Sequence, residues 1–245
     1  MNNNTKPTVY GLIPARGGSQ GIKNKNLRNL GGIPLIYHII NTAKTVTLFD
    51  SIIVSTEDDR IAQSVEEQGV RVLRHDQSLS TNSSPSFLVV KNFLKIFQKD
   101  EKPPEIIVTM RATSPFCEPH YIDKAINALI NNQKADSAIS VVKAPFEPIH
   151  AFKINQDGSL NYIFSDIEHP KYPQQRQSHT HTYVRNGAFY ATRTDVIENN
   201  SLWGTQILPI VMPKERSLNI NDELDFIFAE FLLSNGYLND QSKHK

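Results

Sequence analysis

The stretch GLIPARGGSQGIKNKN, residues 11–26, decides the fold class of this 245-residue chain. An apolar run from Val9 to Ile13 leads directly into a loop that is rich in glycine and in positive charge. The glycines and cations of this loop are Gly17, Gly18, Gly21, Arg16, Lys23 and Lys25. Glycines let backbone N–H groups approach phosphate oxygens closely, and cations neutralise a polyphosphate. Because ligands of α/β sheets bind at the carboxyl ends of strands, the stretch predicts a nucleotide triphosphate site after the first strand.

The loop matches neither of the two common phosphate-binding fingerprints. It lacks G-x-G-x-x-G, which is typical of dinucleotide sites, and G-x-x-x-x-G-K-[ST], which is typical of Walker-type loops. On composition alone, an ordinary flexible basic loop therefore remains an open alternative, because glycine-rich turns are common.

Strand-like and helix-like patterns alternate along the rest of the chain. Short apolar runs typical of strands lie at Val9–Ile13, Ser51–Ser55, Val70–Leu73, Ile106–Met110, Ala138–Val142, Ala188–Thr192 and Leu208–Met212. Helical spacing of apolar residues occurs at Leu35–Ala43, Arg60–Glu67, Phe87–Phe97, Ile122–Ile130 and Glu223–Leu233. The alternation predicts an α/β fold, with a mostly parallel Rossmann-like sheet and helices on both of its faces.

A single domain is expected to span residues 1–245, because a chain of this size with 39% hydrophobic residues can bury a substantial core. The alternation breaks between about Lys143 and Arg185, where prolines and histidines interrupt it and a hairpin turn is predicted at residues 155–158. We interpret this segment as an inserted arm that covers a site or reaches a partner subunit. Helix N-caps are predicted at Asp58 or Asp59 and at Asp222.

Charge and composition exclude several classes of protein. The 26 basic residues nearly cancel the 25 acidic ones, so a formal charge of +1 gives no general attraction for nucleic acid or an anionic membrane. The single cysteine, Cys117, excludes an internal disulfide framework and a multi-cysteine zinc site. The segment Met1 to Thr8 is polar, and no stretch approaches the ~18 apolar residues that span a bilayer. A cytoplasmic protein is therefore expected.

Five motifs, in order along the chain, resemble those of a known enzyme family. They are IPARGGSQGIKNKN (13–26), IIVSTEDDRIA (52–62), RATSP (111–115), RNGAFY (185–190) and MPKERSLNINDELDF (212–226). Together they resemble the CMP-sialic acid synthetases (acylneuraminate cytidylyltransferases) and relatives that act on legionaminate and other nonulosonates. The resemblance implies a homodimeric, magnesium-dependent nucleotidyltransferase of cell-surface polysaccharide biosynthesis. Such an enzyme transfers CMP from CTP to a nine-carbon acidic sugar and releases pyrophosphate.

The resemblance also implies roles for individual residues. Arg16 and Lys25 are the implied catalytic residues, because negative charge grows on phosphate oxygens when the anomeric hydroxyl attacks the α-phosphate. The implied nucleotide-binding residues are Pro14, Ala15, Arg16, Gly17, Gly18, Ser19, Lys25, Asn26, Arg74 and Ser86. The implied sugar-binding residues are Arg111, Arg176, Gln177, Asn186 and Tyr190.

Several positions depart from the family pattern. Asn219 and Asn221 stand where familiar members carry an Asp-x-Asp pair associated with magnesium. Gln20 replaces the usual lysine of the glycine-rich loop, and Arg111 stands where many sialic acid enzymes have glutamine. We expect Asn219, Asn221 and Asp222 to provide the protein ligands of magnesium, although Asp222 also suits the N-cap of the last helix.

These departures leave two alternatives open. Arg111 and the altered magnesium motif are compatible with another acidic sugar as substrate, such as 3-deoxy-manno-octulosonate. The neutral side chains of Asn219 and Asn221 are compatible with a catalytically impaired homologue that binds a nucleotide without turnover.

Overall fold

The structure, a computed structural model, describes residues 6–18, 21–80, 86–100, 103–164 and 181–238, with the backbone only for residues 86 and 98–100. The strands are β1 (Val9–Pro14), β2 (Asn29–Leu30), β3 (Ile33–Pro34), β4 (Ser51–Thr56), β5 (Arg71–Arg74), β6 (Ile106–Met110), β7 (Ser137–Lys143), β8 (Phe152–Ile154), β9 (Leu160–Tyr162), β10 (Tyr183–Arg193) and β11 (Ile207–Val211). The helices are α1 (Leu35–Thr45), α2 (Asp59–Glu66), α3 (Ser86–Asp100), α4 (Pro119–Asn131), α5 (Thr194–Glu198) and α6 (Glu223–Ser234).

A seven-stranded sheet organises the fold, in the order β11-β7-β10-β6-β1-β4-β5. Strand β10 runs antiparallel to both of its neighbours, whereas the pairs β11–β7, β6–β1, β1–β4 and β4–β5 are parallel. The prediction of a mostly parallel sheet is thereby confirmed. Strand β1 lies in the middle, and the chain moves from it to β4 and β5 on one side before it returns to β6 on the other. The carboxyl ends of β1 and β6 therefore flank a topological switch point, where open α/β sheets bind their ligands.

Helices cover both faces of the sheet, as the alternating sequence pattern predicts. On one face, apolar residues of α1, α2 and α4 pack against Val9, Ile13 and Val54 of the central strands. On the other face, α3 and α5 pack against Leu12 and Ile53 of the same two strands. Strands β1 and β4 are therefore apolar on both sides, which explains why they appear in the sequence as continuous hydrophobic runs rather than alternating ones.

A third, smaller apolar cluster joins the glycine-rich loop to the last helix. Ile22 of the loop and Ile220 pack with Phe226 of α6, and all three are buried. At Gly21 the loop approaches the backbone so closely that an added Cβ would overlap the carbonyl oxygen of Asn221. Glycine is therefore required at this position by the packing of two backbones.

The segment predicted to be an inserted arm contains a separate hairpin of β8 and β9. The Asn155 N–H donates to the Ser159 carbonyl over 2.9 Å, and Gly158 has a φ of 81°, which confirms the predicted turn. Strand β10 begins at Tyr183, five residues before the predicted Ala188, so the arm ends earlier than expected. The short elements β2, β3 and α5 were not predicted, because a strand of two residues or a helix of five has no measurable periodicity. Within the described ranges, no helix is long and apolar enough to cross a membrane.

Candidate active site

Residues from distant parts of the chain meet at the carboxyl ends of β1, β4, β5 and β6. Arg16 follows β1, Arg111 follows β6, and Asn186 lies in the first half of β10. Lys25 begins a turn of 3-10 helix in the glycine-rich loop. The switch point therefore collects residues from three of the five motifs found in the sequence.

Two other cations act on Lys25 in this crevice. Burial lowers the pKa of Lys25, and the positive charges of Arg16 and Arg111 lower it further, while Asp225 and Asp222 act in the opposite direction. The Lys25 ammonium also donates to the Ile220 carbonyl over 3.0 Å. Lys25 therefore lies within electrostatic reach of both arginines, and such a concentration of positive charge favours an anionic ligand.

Hydrogen bonds with the strands hold the first half of the glycine-rich loop. The Ala15 N–H donates to the Ser55 carbonyl over 2.9 Å and so extends the pairing of β1 with β4. The buried amide of Asn26 reaches back across the loop and donates to the Arg16 carbonyl over 2.9 Å. Asn26 therefore fixes the turn on which the predicted catalytic arginine lies, rather than pointing into the crevice.

The next two residues of the loop face a pocket of about 570 Å³. The pocket is lined by Gly17, Gly18, Glu57, Asp58, Asp59, Arg60, His75, Asp76 and Gln77. Gly18 is exposed, and an added Cβ there would meet nothing within 4 Å, so this part of the loop borders open space. A pocket of this size suits a nucleotide-sized ligand.

Arg74 supports the turn that lines this pocket. Its guanidinium donates to the Glu57 carbonyl over 2.9 Å and to the Asp58 carbonyl over 3.0 Å, and it forms an ion pair with Asp59. Asp58 accepts from the N–H groups of Arg60 and Ile61, so it is the N-cap of α2 as predicted. In this arrangement the Arg74 guanidinium, which was predicted to contact the nucleotide, donates to backbone carbonyls of the protein instead.

The loop also contacts a carboxylate that sequence reasoning missed. The Gly17 N–H donates to Glu57 Oε1 over 2.8 Å, and Glu57 lies close to the buried His75. Its position could have indicated a role in the site, because Glu57 is the first residue after β4 and so lies at the carboxyl edge of the sheet. A carboxylate beside a predicted phosphate site has the wrong charge to bind phosphate, so sequence reasoning assigned it no role.

Asn186 lies at an irregularity in β10. The register with β7 shifts between Arg185 and Tyr190, as in a β-bulge. The Asn186 amide donates to Ser217 Oγ over 2.9 Å, and its carbonyl oxygen accepts from the Ala188 N–H over 3.1 Å. In the described structure, Asn186 therefore links β10 to the segment that precedes α6.

The other predicted sugar-binding residues differ in accessibility. Arg111 is exposed at the crevice, and its N–H donates to the Ala188 carbonyl over 3.0 Å. Tyr190 is only 5% exposed, and its ring packs edge-on against Trp203 at 4.9 Å, so it offers little surface to a solute. Ser19, Arg176 and Gln177 lie outside the described residues, and Ser86 is the first residue of α3, described by its backbone alone.

The segment that precedes α6 places the predicted magnesium ligands beside the loop. Asn219 Oδ1 is buried and has no hydrogen-bond partner among the described residues. The Asn221 amide donates to the Asn219 backbone carbonyl over 3.1 Å. The part of the chain that the structure describes contains no group of three or more His, Cys, Asp or Glu residues placed to hold a metal ion. Asn219 and Asn221 could contribute only neutral oxygen donors to a metal, and Asp222 is the one carboxylate among the three predicted ligands.

Asp222 confirms its predicted position as the N-cap of α6. Its carboxylate accepts from the Asp225 N–H over 3.0 Å, while Asp225 Oδ2 accepts from the N–H groups of Asn221 and Asp222. This reciprocal arrangement is a capping box, which satisfies N–H groups that the first turn of the helix leaves unpaired.

Cys117 takes no part in this chemistry. The thiol is buried, and burial raises its pKa to about 12. A thiolate is therefore not available at neutral pH.

Comparison with known proteins identifies the fold and the family. The cytidylyltransferase family profile matches residues 10–224. A pseudaminic acid cytidylyltransferase of Campylobacter jejuni is 30% identical over 225 residues, covering 90% of this chain and 94% of its own. A CMP-N,N'-diacetyllegionaminic acid synthase of Legionella pneumophila is 30% identical over 231 residues, covering 92% and 96%. The solved structure of a CMP:2-keto-3-deoxy-manno-octonic acid synthetase complexed with CTP shares the fold, with a TM-score of 0.68, 17% identity, and coverage of 94% and 99%.

The N-acylneuraminate enzymes among the relatives are longer. N-acylneuraminate cytidylyltransferase A of Danio rerio is 30% identical over 225 residues, which cover 91% of this chain and 50% of the relative. The chain thus spans about half the length of these relatives. Since the family profile covers most of its residues, the chain belongs to the cytidylyltransferase family.

Proposed function

We propose that this protein transfers CMP from CTP to the anomeric hydroxyl of a nine-carbon acidic sugar, a sialic acid or a related nonulosonate, and releases pyrophosphate. The observation that carries the proposal is the convergence of Arg16, Lys25 and Arg111 at the switch point of a cytidylyltransferase-family sheet. The names of its relatives support an acidic sugar, since they specify N-acylneuraminate, pseudaminic acid and a legionaminic acid.

The proposed reaction needs fixed positive charge more than it needs a nucleophilic side chain. A bond forms between the sugar oxygen and the α-phosphorus, and the bond from that phosphorus to the oxygen bridging the α- and β-phosphates breaks. Negative charge increases on the phosphoryl oxygens and on the departing pyrophosphate during this step. Arg16 and Lys25 are proposed to stabilise that charge; in support, the Arg16 backbone and the Lys25 ammonium are both hydrogen-bonded to the protein.

The sugar is assigned to the side of the crevice formed by β6 and β10. Arg111 is exposed there, and a guanidinium can pair with a carboxylate through two parallel hydrogen bonds. An acidic sugar placed against Arg111 would have its anomeric centre close to the cations that hold the nucleotide. Replacement of the usual glutamine by arginine favours a substrate that differs from the common sialic acid in how its acid group is held.

Magnesium is proposed as the metal, and the residues of the segment before α6 fit it. Mg²⁺ prefers oxygen ligands and usually takes one or two from the protein in addition to substrate phosphates. Asn219 Oδ1 is an oxygen of this kind, because it is buried without a hydrogen-bond partner in the described structure. Asn221 and Asp222 lie within three residues and are exposed. When bound, the ion would neutralise charge on the triphosphate.

The protein is further proposed to be a cytoplasmic homodimer that associates through the arm. Phe152, Ile154, Leu160 and Tyr162 are all exposed, and their pairing in the hairpin places them on one face. Such an apolar face is stabilised by contact with a partner. Light scattering is expected to give twice the chain mass of 27.7 kDa, and Ile154→Asp to reduce it, whereas Lys153→Asp, on the opposite face, leaves it unchanged. A monomeric wild-type protein would contradict the proposal.

The activity is tested with purified protein, CTP, Mg²⁺ and a panel of nonulosonates that includes sialic, pseudaminic and legionaminic acids, with 3-deoxy-manno-octulosonate as the competing sugar. Pyrophosphate release with at least one nonulosonate is expected. A preference for UTP or GTP in thermal-shift measurements would contradict the proposed nucleotide. If CTP raises the melting temperature but no sugar is turned over, the protein is a binding homologue, and the two asparagines would explain the loss of catalysis.

A further inference from the structure

Glu57 places a negative charge against the loop that is proposed to hold a triphosphate. Its Oε1 accepts from the Gly17 N–H over 2.8 Å, and its side chain is only 13% exposed. A carboxylate repels phosphate, so its presence does not help the loop as a direct ligand. The Gly17 N–H is thus bonded to a protein side chain. This contact helps to fix the conformation of the loop.

A chain of hydrogen bonds holds the carboxylate from its other side. The Ser80 hydroxyl donates to Glu57 Oε2 over 2.7 Å, and His75 Nε2 lies 2.7 Å from Ser80 Oγ. His75 Nδ1 lies 2.7 Å from the hydroxyl of the buried Ser55 in β4. Every donor in this chain has an acceptor when His75 is neutral, with its proton on Nε2 and the Ser55 hydroxyl donating to Nδ1. Burial lowers the pKa of His75, which agrees with the neutral form.

The turn that carries Glu57 is itself rigid. Arg74 holds the carbonyl groups of Glu57 and Asp58 over 2.9 and 3.0 Å. The loop packs so tightly on this turn that an added Cβ at Gly17 would overlap the Asp58 side chain. Because the Gly17 N–H is bonded to Glu57 and Gly17 packs against Asp58, movement of the Glu57 carboxylate would be transmitted to the loop.

We propose that Glu57 is a positioning residue for nucleotide binding. Together with Ser80 and His75, it holds the Gly17 amide so that the neighbouring Arg16 and Gly18 are fixed before CTP arrives. Groups fixed in advance bind more tightly, because less conformational freedom is lost on binding. The inference rests on the proposed function, because it concerns the affinity of the same site for CTP.

The test compares Glu57→Ala with Glu57→Gln in the full chain, with CTP affinity measured by isothermal titration calorimetry. Alanine removes the acceptor of the Gly17 N–H, so the Kd for CTP is expected to rise about ten- to a hundredfold, the range for losing a hydrogen bond to a charged group. Glutamine keeps a carbonyl oxygen at the same place, so its Kd is expected to stay within about threefold of the wild type. Glu66→Ala, an exposed glutamate of α2, is the matched control and is expected to change nothing.

The outcomes separate this inference from the proposed function. A wild-type protein that binds no CTP would overturn both. Tight CTP binding by the wild type together with an unchanged Kd for Glu57→Ala would overturn only the positioning role, as would a folded Glu57→Gln variant that binds as weakly as the alanine variant. If Glu57→Ala does not fold, Ser80→Ala replaces it, because it removes the hydroxyl that holds Oε2. Its Kd for CTP is then expected to rise about threefold or more, and an unchanged Kd would contradict the role.

Discussion

The glycine-rich loop (residues 13–26) and the segment that leads into the first turn of the last helix (residues 217–225) border the same crevice but differ in charge. The loop contributes Arg16, whose backbone carbonyl accepts from Asn26, and Lys25, whose ammonium donates to the Ile220 carbonyl. The segment contributes the neutral amides of Asn219 and Asn221, and its Asp225 carboxylate is engaged in capping α6. Of these two regions, the loop is therefore the one that brings positive charge to the crevice.

The two regions are nevertheless one mechanical unit. Ile22 and Ile220 share a buried cluster, Gly21 packs on the Asn221 backbone, and Lys25 donates to the Ile220 carbonyl. A substitution at one of these contacts is therefore expected to affect the position of both regions. The difference between them indicates that the loop supplies electrostatic attraction, whereas the segment supplies neutral oxygens and the start of a helix.

The largest effect is expected when the loop loses a cation. Arg16→Ala and Lys25→Ala are each expected to lower kcat/KM for CTP by about ten- to a thousandfold, because each removes a contact to developing negative charge. Steady-state measurement of pyrophosphate release gives the ratio, with Lys124→Ala, an exposed lysine of α4, as the control. Changes below twofold in both variants would show that the loop is not part of the active site. The contrast in charge between the two regions would then have no bearing on catalysis.

The pH dependence of the reaction tests whether Lys25 acts as a charge. Its pKa is lowered from 10.5, first by burial and then by the charge of Arg16, so its proton is lost at a lower pH than that of an ordinary lysine. We expect kcat/KM for CTP to fall as pH rises through this lowered pKa, by about tenfold per pH unit above it. Lys25→Arg keeps the charge at all these pH values and is expected to abolish the fall. If kcat/KM of the Lys25→Arg variant falls with pH in the same way, the titrating group is not Lys25.

A carboxylate introduced into the neutral segment tests the other half of the comparison. Asn219→Asp adds a negative charge where Asn219 Oδ1 has no hydrogen-bond partner in the described structure. The Mg²⁺ concentration for half-maximal activity is expected to fall about tenfold, because affinity for hard cations rises with ligand charge. Asn131→Asp, at the far end of α4, serves as the control. An unchanged Mg²⁺ requirement in Asn219→Asp would place the metal elsewhere.

The smallest effect is expected at the cap of α6. Asp222→Ala is expected to lower the free energy of unfolding by about 1 kcal/mol, and Asp222→Asn to retain most of it, since asparagine also caps helices well. Urea denaturation measures both. Equal losses in the two variants would show that the carboxylate charge, rather than the hydrogen bond to the Asp225 N–H, stabilises the helix start. A raised Mg²⁺ requirement in Asp222→Asn would support Asp222 as a metal ligand.

Much of the fold could be predicted because apolar periodicity acts over a few residues. Strand β6 has the predicted bounds Ile106–Met110, and the other long strands and helices lie within a few residues of their predicted positions, β10 excepted. Strand β10 was predicted too short, because its first residues are exposed and carry no apolar run. The N-caps Asp58 and Asp222 were also predictable, since a cap depends on its own helix.

The cations of the candidate site could be predicted from the sequence, but the contacts that hold the loop in place could not. A glycine-rich basic loop after a first strand is a local signal, and Arg16 and Lys25 lie in it. The contact of Gly17 with Glu57 joins residues 40 apart in sequence, and that of Lys25 with Ile220 joins residues 195 apart. No local pattern encodes such pairs, because they depend on which strands become neighbours in the sheet.

The sequence by itself determined the order of strands and helices, the position of the loop and the chemical types available to it. Only the tertiary structure decided that Glu57 bonds to the loop, that Asn186 lies at an irregularity of β10, and that Asn219 Oδ1 is buried without a hydrogen-bond partner among the described residues. The physical reason is the distance along the sequence over which each kind of interaction acts. Backbone periodicity and capping are settled within one or two turns of chain, whereas a binding crevice is assembled from the ends of strands that meet only after the sheet has formed.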